Sequence, residues 1–222
     1  MVGVEQRPLA QRLAAVTALD DPTRRALLDF IARSPEPVGR EAAAEAFGLP
    51  RSTAAFHLDR LAAQGLLDVV YRRLSGRTGP GSGRPAKLYR RAAGEVSVSV
   101  PERHYELAAQ LLAAAVERAA TDAIPVTDAL ADAAERTGRT LASGAVGLTE
   151  VLEQQGFEPR SEPDGTVVLG NCPFHQLVAD HPETVCTMNL HLLRGVACAC
   201  GADPEALRLD PAPGRCCVTI RP

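Results

Sequence analysis

The feature that most constrains this chain is a segment rich in glycine and proline between two strand-forming stretches. Residues 75–85 contain four Gly and two Pro, a composition that predicts a loop rather than a helix or a strand. The flanking residues 67–74 and 86–91 are predicted to be strands. The chain is therefore expected to form a hairpin at this point, with a loop that can approach another surface closely.

Short helices are predicted ahead of this hairpin, over residues 8–19, 22–33, 40–47 and 50–64. Asp21-Pro22 is a strong start signal, because Asp is a good N-cap and Pro is favoured at the first helical position. The order helix, helix, helix, strand, loop, strand is typical of a winged helix-turn-helix. The helix that begins at Pro50 occupies the position of the recognition helix.

The charge distribution favours a polyanion as the partner of this region. Residues 1–95 hold 15 Lys and Arg against 10 Asp and Glu, whereas residues 96–222 hold 9 against 17. Residues 72–91 carry seven positive charges and no acid. A solvated basic hairpin on an ordinary helical domain is the alternative interpretation. The predicted contacts to double-stranded DNA are Arg51, Ser52, Thr53, His57, Arg60, Arg77, Arg84 and Lys87.

Three segments of this region resemble the winged-helix domain of ArsR-type repressors: LDDPTRRALL at 19–28, HLDRL at 57–61 and GLL at 65–67. The resemblance covers about residues 10–92. It implies a homodimer that binds a palindromic operator. The region has no cysteine, so the thiolate metal site that some of these repressors carry there is absent.

All six cysteines lie in the last quarter of the chain. The N-terminus lacks the apolar run of a secretory signal, and no apolar run approaches the ~20 residues of a membrane helix. We therefore expect a cytoplasmic protein with no membrane association. In a reducing compartment, clustered thiols indicate a metal, a cluster or a redox switch rather than structural disulfides. These cysteines are Cys172, Cys186, Cys198, Cys200, Cys216 and Cys217.

The cysteine segments GNCPFH at 170–175, HPETVC at 181–186 and LDPAPGRCCV at 209–218, with a winged helix in front, resemble the SufR-like repressors. This resemblance covers nearly the whole chain. It implies that C-terminal cysteines bind an iron–sulfur cluster and that the state of the cluster controls DNA binding. In that family the loaded form represses the genes of iron–sulfur cluster assembly.

Helix geometry narrows the set of candidate ligands. Cys172 precedes a predicted helix that begins at Pro173, where the helix dipole would lower the pKa of its thiol. If one helix spans Cys186 to Cys200, the two lie ~21 Å apart along its axis, which argues against Cys200 and, equally, Cys198. The sequence therefore favours Cys172 and Cys186 as ligands.

The choice between the adjacent Cys216 and Cys217 depends on a predicted strand over residues 215–221. Neighbouring residues of a strand face opposite sides, and Cys216 shares the apolar face of Val218 and Ile220. The predicted ligands are therefore Cys172, Cys186 and Cys216. A [4Fe-4S] cluster is favoured over a [2Fe-2S] cluster, with zinc as the alternative. The fourth ligand stays open between His175, Cys200, Cys217 and a non-protein group.

The fold class expected from these elements is α+β and mainly helical. A winged helix-turn-helix domain is predicted at 1–95, a helical linker and dimerisation segment at 96–145, and a small α+β cysteine-containing domain at 146–222. We hypothesise that a cluster fixes the last domain against the helix over 105–123 and so sets the spacing of the two recognition helices.

Two other function classes are weighed against this hypothesis. Cys172 and His175 could act as nucleophile and base, but no third orienting group is evident, so we expect no enzymatic activity. A zinc-binding or thiol-redox-responsive winged-helix repressor remains the alternative regulator.

Overall fold

The computed structural model describes residues 7–73 and 85–222. Its contacts divide the chain into two compact units, Met1–Val98 and Ser99–Pro222. The described residues form helices and two small antiparallel sheets, which confirms the mainly helical α+β class. None of the described helices is long and apolar enough to cross a membrane.

The first unit builds a three-stranded antiparallel sheet beside short helices, in which the strands Val38–Gly39, Ala86–Arg91 and Leu67–Arg72 are neighbours in that order. Its core is formed by side chains that include Leu27, Leu58 and Tyr89. The elements are α1 (Leu9–Ala18), α2 (Pro22–Arg33), β1 (Val38–Gly39), α3 (Arg40–Phe47), α4 (Arg51–Ala63), β2 (Leu67–Arg72) and β3 (Ala86–Arg91).

Local sequence signals account for most of these boundaries. The Asp21 side chain accepts a hydrogen bond from the Arg24 backbone N–H at 3.0 Å, so the predicted start of α2 is confirmed. Gly48 ends α3 with a left-handed backbone (φ 62°), a conformation that glycine adopts without strain. The strand β1, which pairs Val38 with Tyr89, was not predicted, because two residues are too few to show the alternation of apolar and polar residues that marks a strand.

The second unit packs its helices against a four-stranded antiparallel sheet of order β4-β5-β7-β6. Residues of α5 and α6 share one core with the cysteine segment, so 99–145 belongs to this unit by its packing. The predicted domain boundaries stay a prediction. The elements are α5 (Tyr105–Asp122), α6 (Val126–Leu141), α7 (Leu148–Gln154), β4 (Pro159–Ser161), β5 (Val167–Leu169), α8 (His175–Asp180), α9 (Pro182–Ala199), β6 (Leu207–Leu209) and β7 (Val218–Ile220).

Two glycines let α6 and α9 approach each other closely. A Cβ added at Gly138 would lie 2.0 Å from the Leu192 carbonyl oxygen, and one added at Gly195 would lie 2.2 Å from the Glu135 carbonyl oxygen. Each glycine therefore leaves room for the backbone of the opposite helix, which a larger residue would not. Gly195 does not break α9, which continues past it to Ala199.

Candidate DNA interface and thiol site

The recognition-helix candidate α4 is anchored by its inner face. Ala54, Leu58 and Leu61 are fully buried, as the helical spacing predicts. The opposite face is open to solvent, and Ser52 and Arg60 are exposed on it, while Arg51 is exposed at the first residue of the helix. Arg77 and Arg84 lie outside the described residues.

Thr53 and His57 lie at the flank of α4 rather than on its open face, and both are half-buried. The His57 ring contacts the Phe56 ring edge to face, with centroids 5.5 Å apart. The His57 Nδ1 atom is buried without a hydrogen-bond partner among the described residues. His57 therefore packs against its helix neighbour as well as lying near the predicted interface.

Lys87 is joined to α4 by a small polar cluster. Lys87 Nζ and the Tyr89 hydroxyl both donate to Asp59 Oδ1, at 2.5 and 2.6 Å. Partial burial opposes ionisation of Asp59, but these two hydrogen bonds outweigh it and lower the pKa of its carboxyl. Burial and the bond to Asp59 raise the pKa of Tyr89. The cluster ties strand β3 to the recognition-helix candidate.

Phe56 is a candidate interface residue that the sequence analysis missed. It is 64% exposed, although a phenylalanine normally gains stability from burial. The available signal was its helical position, because it lies one turn from both Ser52 and Arg60 on the outer face.

Four thiols meet in the core of the second unit. The cysteines are all free, and those that meet are buried in one apolar cluster. Neighbouring thiols are close enough to affect one another's pKa, Cys172 with Cys216, Cys216 with Cys217 and Cys217 with Cys186. The three predicted ligands are thus brought together, and Cys217 joins them.

The pKa values of Cys172, Cys186 and Cys216 are raised, which corrects the expectation for Cys172. The hydrogen bond to Cys216 and burial raise the pKa of the Cys172 thiol and outweigh the Phe174 backbone N–H, which lowers it. Helix α8 begins only at His175, so Cys172 does not cap it. Burial raises the pKa of Cys186 as well. For Cys216, the bond to Cys172 lowers the pKa, but the bond to Cys217 and burial prevail and raise it to about 12.

The strand-face argument that separated Cys216 from Cys217 rests on a wrong strand boundary. Strand β7 begins at Val218, so both cysteines precede it and are free of its alternation. The Cys216 N–H donates to the Leu169 carbonyl at 2.8 Å, and the Cys217 carbonyl accepts from the Asp210 N–H at 2.7 Å. These backbone bonds hold both side chains inside the core.

Two polar side chains lie against the thiol cluster. Asn189 is fully buried on α9, and its Nδ2 donates to Cys216 Sγ at 3.2 Å. Its Oδ1 has no hydrogen-bond partner among the described residues. Arg103 is held by the Asn171 side chain and donates to the Cys172 carbonyl at 3.2 Å, so a positive charge lies near that thiol.

The remaining candidates lie apart from the cluster. Cys198 is exposed and Cys200 is half-buried, and α9 runs without interruption from Cys186 to Cys198. His175 is exposed.

The donor chemistry of the cluster suits a soft metal or an iron–sulfur cluster, because four buried thiols converge without a disulfide. Within ranges 7–73 and 85–222, no group of three His, Cys, Asp or Glu side chains is arranged to hold a metal ion as it stands.

Comparison with protein families matches residues 19–70 to a helix-turn-helix domain. The match covers α2, α3 and α4 and most of β2, and so includes the predicted DNA contacts on α4 but not Arg77, Arg84 or Lys87. It supports a DNA-binding transcriptional regulator. A search of curated proteins finds no match.

Proposed function

We propose that this chain is a cytoplasmic repressor that binds a palindromic operator as a homodimer and controls the genes of iron–sulfur cluster assembly. Its operator binding is controlled by an iron–sulfur cluster, [4Fe-4S] in preference to [2Fe-2S], held by Cys172, Cys186 and Cys216. Cys217 is the fourth ligand. The observation that carries this proposal is the burial of these four free thiols in one core, where each is close to at least one other.

A guest held by these thiols has to be cationic, because it must offset the cost of forming thiolates in a buried core. Without a cation, the raised pKa values of Cys172, Cys186 and Cys216 favour the protonated thiols, because each thiolate would lose its hydration in the core. A bound metal reverses this preference and deprotonates its thiol ligands. The Asn189 amide and the Arg103 guanidinium add positive potential near Cys216 and Cys172.

The core of the second unit offers a route from the thiols to helix α5. Ala108, Leu111 and Ala115 of α5 belong to the same buried cluster as Cys172 and Cys186. Close-packed cores transmit a volume change at one point to their neighbours. We assign α5 to the dimer interface, so a change at the thiols alters the separation of the recognition helices. Operator half-sites lie about 34 Å apart, which makes binding sensitive to that separation.

Zinc is the second candidate guest, because four thiols are the ligand set of a common structural zinc site. Anaerobic purification followed by a visible spectrum and by iron, sulfide and zinc assays separates the two. We expect a brown protein with iron and acid-labile sulfide in near-equal amounts. A colourless protein with one zinc per chain supports the zinc-binding repressor, and a metal-free protein contradicts both.

Cysteine variants test the ligand set. Cys217→Ser is expected to lower the bound iron and to shift the visible spectrum, whereas Cys198→Ser, an exposed cysteine on the same helix as Cys186, should leave both unchanged. A full cluster in Cys217→Ser would remove this residue from the set. Equal effects of the two variants would point to general destabilisation instead.

Control by the cluster is tested by operator affinity at fixed salt. Operator fragments are first selected from genomic DNA with the loaded full-length protein. Their dissociation constants are then compared for loaded and stripped protein. We expect tighter binding by the loaded form, and equal affinities would contradict cluster control.

A further inference from the structure

The exposed ring of Phe56 is the least expected feature of the recognition-helix candidate. Single exposed apolar residues are common, so exposure alone carries no function. Phe56, however, lies opposite the buried side chains of Ala54, Leu58 and Leu61, at the middle of the solvent face. Any partner that docks against this face of α4 therefore contacts the Phe56 ring.

The neighbours of Phe56 indicate what kind of surface that is. Ser52 and Arg60 lie one turn before and after it and are exposed on the same line of the helix. Arg51 adds a second exposed cation. The carboxylate of Asp59 is occupied by Lys87 and Tyr89, which reduces its repulsion of an anion. The face thus combines positive charge, a hydroxyl and one large apolar ring.

This combination matches the major groove of duplex DNA. The 5-methyl group of thymine is the apolar feature that base edges present there, and phenylalanine is one of the side chains that contact it. The edge-to-face contact with His57 restricts the Phe56 ring, so less conformational freedom is lost on binding.

We propose that Phe56 reads thymine in the operator through contact with the thymine 5-methyl group. The inference rests on the DNA-binding function and deepens it, because it names one determinant of sequence preference. Arg51 and Arg60 supply affinity that depends little on sequence, and Phe56 supplies discrimination.

The test is a double-mutant cycle between residue 56 and the thymine methyl group. Each thymine of a selected operator is replaced singly by uracil, which removes the methyl and keeps the base-pairing edge. Dissociation constants are measured at fixed salt for the wild-type full-length protein and for Phe56→Ala. Val146→Ala, which truncates a 94% exposed residue of the second unit, is the control variant.

We expect at least one thymine-to-uracil change to weaken wild-type binding about threefold to tenfold, the range for losing one buried methyl. The same change should have no further effect in Phe56→Ala, while Val146→Ala keeps the wild-type response. Thermal melting of Phe56→Ala should match the wild type, because the ring contributes little to the core.

Two other results are distinguishable. If the protein binds its operator and every uracil effect is the same in Phe56→Ala, or none exists, the assignment of Phe56 is overturned and DNA binding stands. If no duplex is enriched even at low salt, the DNA-binding function fails and this assignment fails with it.

Discussion

At the scale of single residues, Asp59 links the recognition-helix candidate to β3 through one carboxylate. Two donors on β3 reach the same oxygen, and together they lower the pKa of Asp59. A carboxyl with a lowered pKa stabilises the folded state while it is ionised. That contribution is present above the ordinary Asp pKa of about 3.9 and is lost as the pH falls through the lower folded value.

We therefore predict a pH-dependent cost for Asp59→Asn. The variant should be less stable than the wild type at pH 7, and the difference should shrink as the pH falls below about 4. Urea unfolding of both proteins at pH 7 and pH 3 measures it. A difference of the same size at both pH values would contradict an ionised Asp59 as the cause.

Tyr89→Phe measures what the buried hydroxyl contributes to stability, apart from the contribution of the charged Lys87. Tyr89 is almost fully buried and its hydroxyl donates to Asp59 at 2.6 Å. Loss of one such bond to a charged acceptor should lower the free energy of unfolding by about 1–2 kcal/mol. Urea unfolding at pH 7 measures the change, and a value near zero would mean that Lys87 alone satisfies Asp59.

The sequence predicts that cysteines from distant segments come together, but it does not identify all four of them. Cys172, Cys186 and Cys216 were chosen from helix and strand geometry, and they do converge in the structure. Cys217 is left among the open candidates for the fourth ligand because the predicted strand begins at residue 215, three residues before β7 does. Neither Phe56 nor Asn189 was singled out, because exposure and a cross-element hydrogen bond leave no local pattern.

At the scale of elements, α6 and α9 approach each other closely at two glycines. Gly138→Ala and Gly195→Ala would each drive a methyl into an opposing carbonyl. Overpacking outweighs the gain in helix propensity, so we expect a loss of about 2–4 kcal/mol of unfolding free energy.

Gly147→Ala is a control for steric clash, because the same methyl meets open space there, at the N-cap of α7. Ala is a poorer N-cap than Gly, so its unfolding free energy should fall by no more than about 1 kcal/mol. Chemical denaturation of all three variants provides the measurement. Similar midpoints for Gly138→Ala and Gly147→Ala would show that α6 and α9 can separate at little cost.

A further expectation concerns the charge on α4. If Arg60 neutralises a phosphate, Arg60→Gln should weaken binding to all sequences alike and reduce the slope of log affinity against log salt by about one. Arg139→Gln, an exposed arginine of α6, makes the same charge change in the second unit and should leave the slope unchanged. An unchanged slope in Arg60→Gln would show that Arg60 does not neutralise a phosphate of the DNA.

The sequence predicts well those elements that are long enough to show a hydrophobic pattern and that begin or end at a clear signal. Helix α3 and strand β3 match their predicted bounds, and α2 begins at its predicted cap. Strands β1, β4 and β6 have two or three residues each, too few for alternation to be read. Their existence depends on pairing with distant strands, which no local segment encodes.

At the scale of the whole molecule, the chain divides its chemistry between two units. The residues proposed to contact DNA lie in the first and the thiols lie in the second. Removal of the proposed cluster should therefore raise amide exchange in residues 99–222 first, because its ligands join three segments of that core. Hydrogen exchange of loaded and stripped protein tests this, and unchanged exchange throughout 99–222 would argue against a cluster in that core.

Helix α9 carries a buried thiol near one end and an exposed thiol near the other. Cys186 and Cys198 are twelve residues apart on one continuous helix, or about 18 Å along its axis. A spin label or fluorophore attached at Cys198 would therefore sit on the same rigid rod as the thiol site without occupying it. The protein carries a native attachment point from which movements of that rod can be followed by spectroscopy.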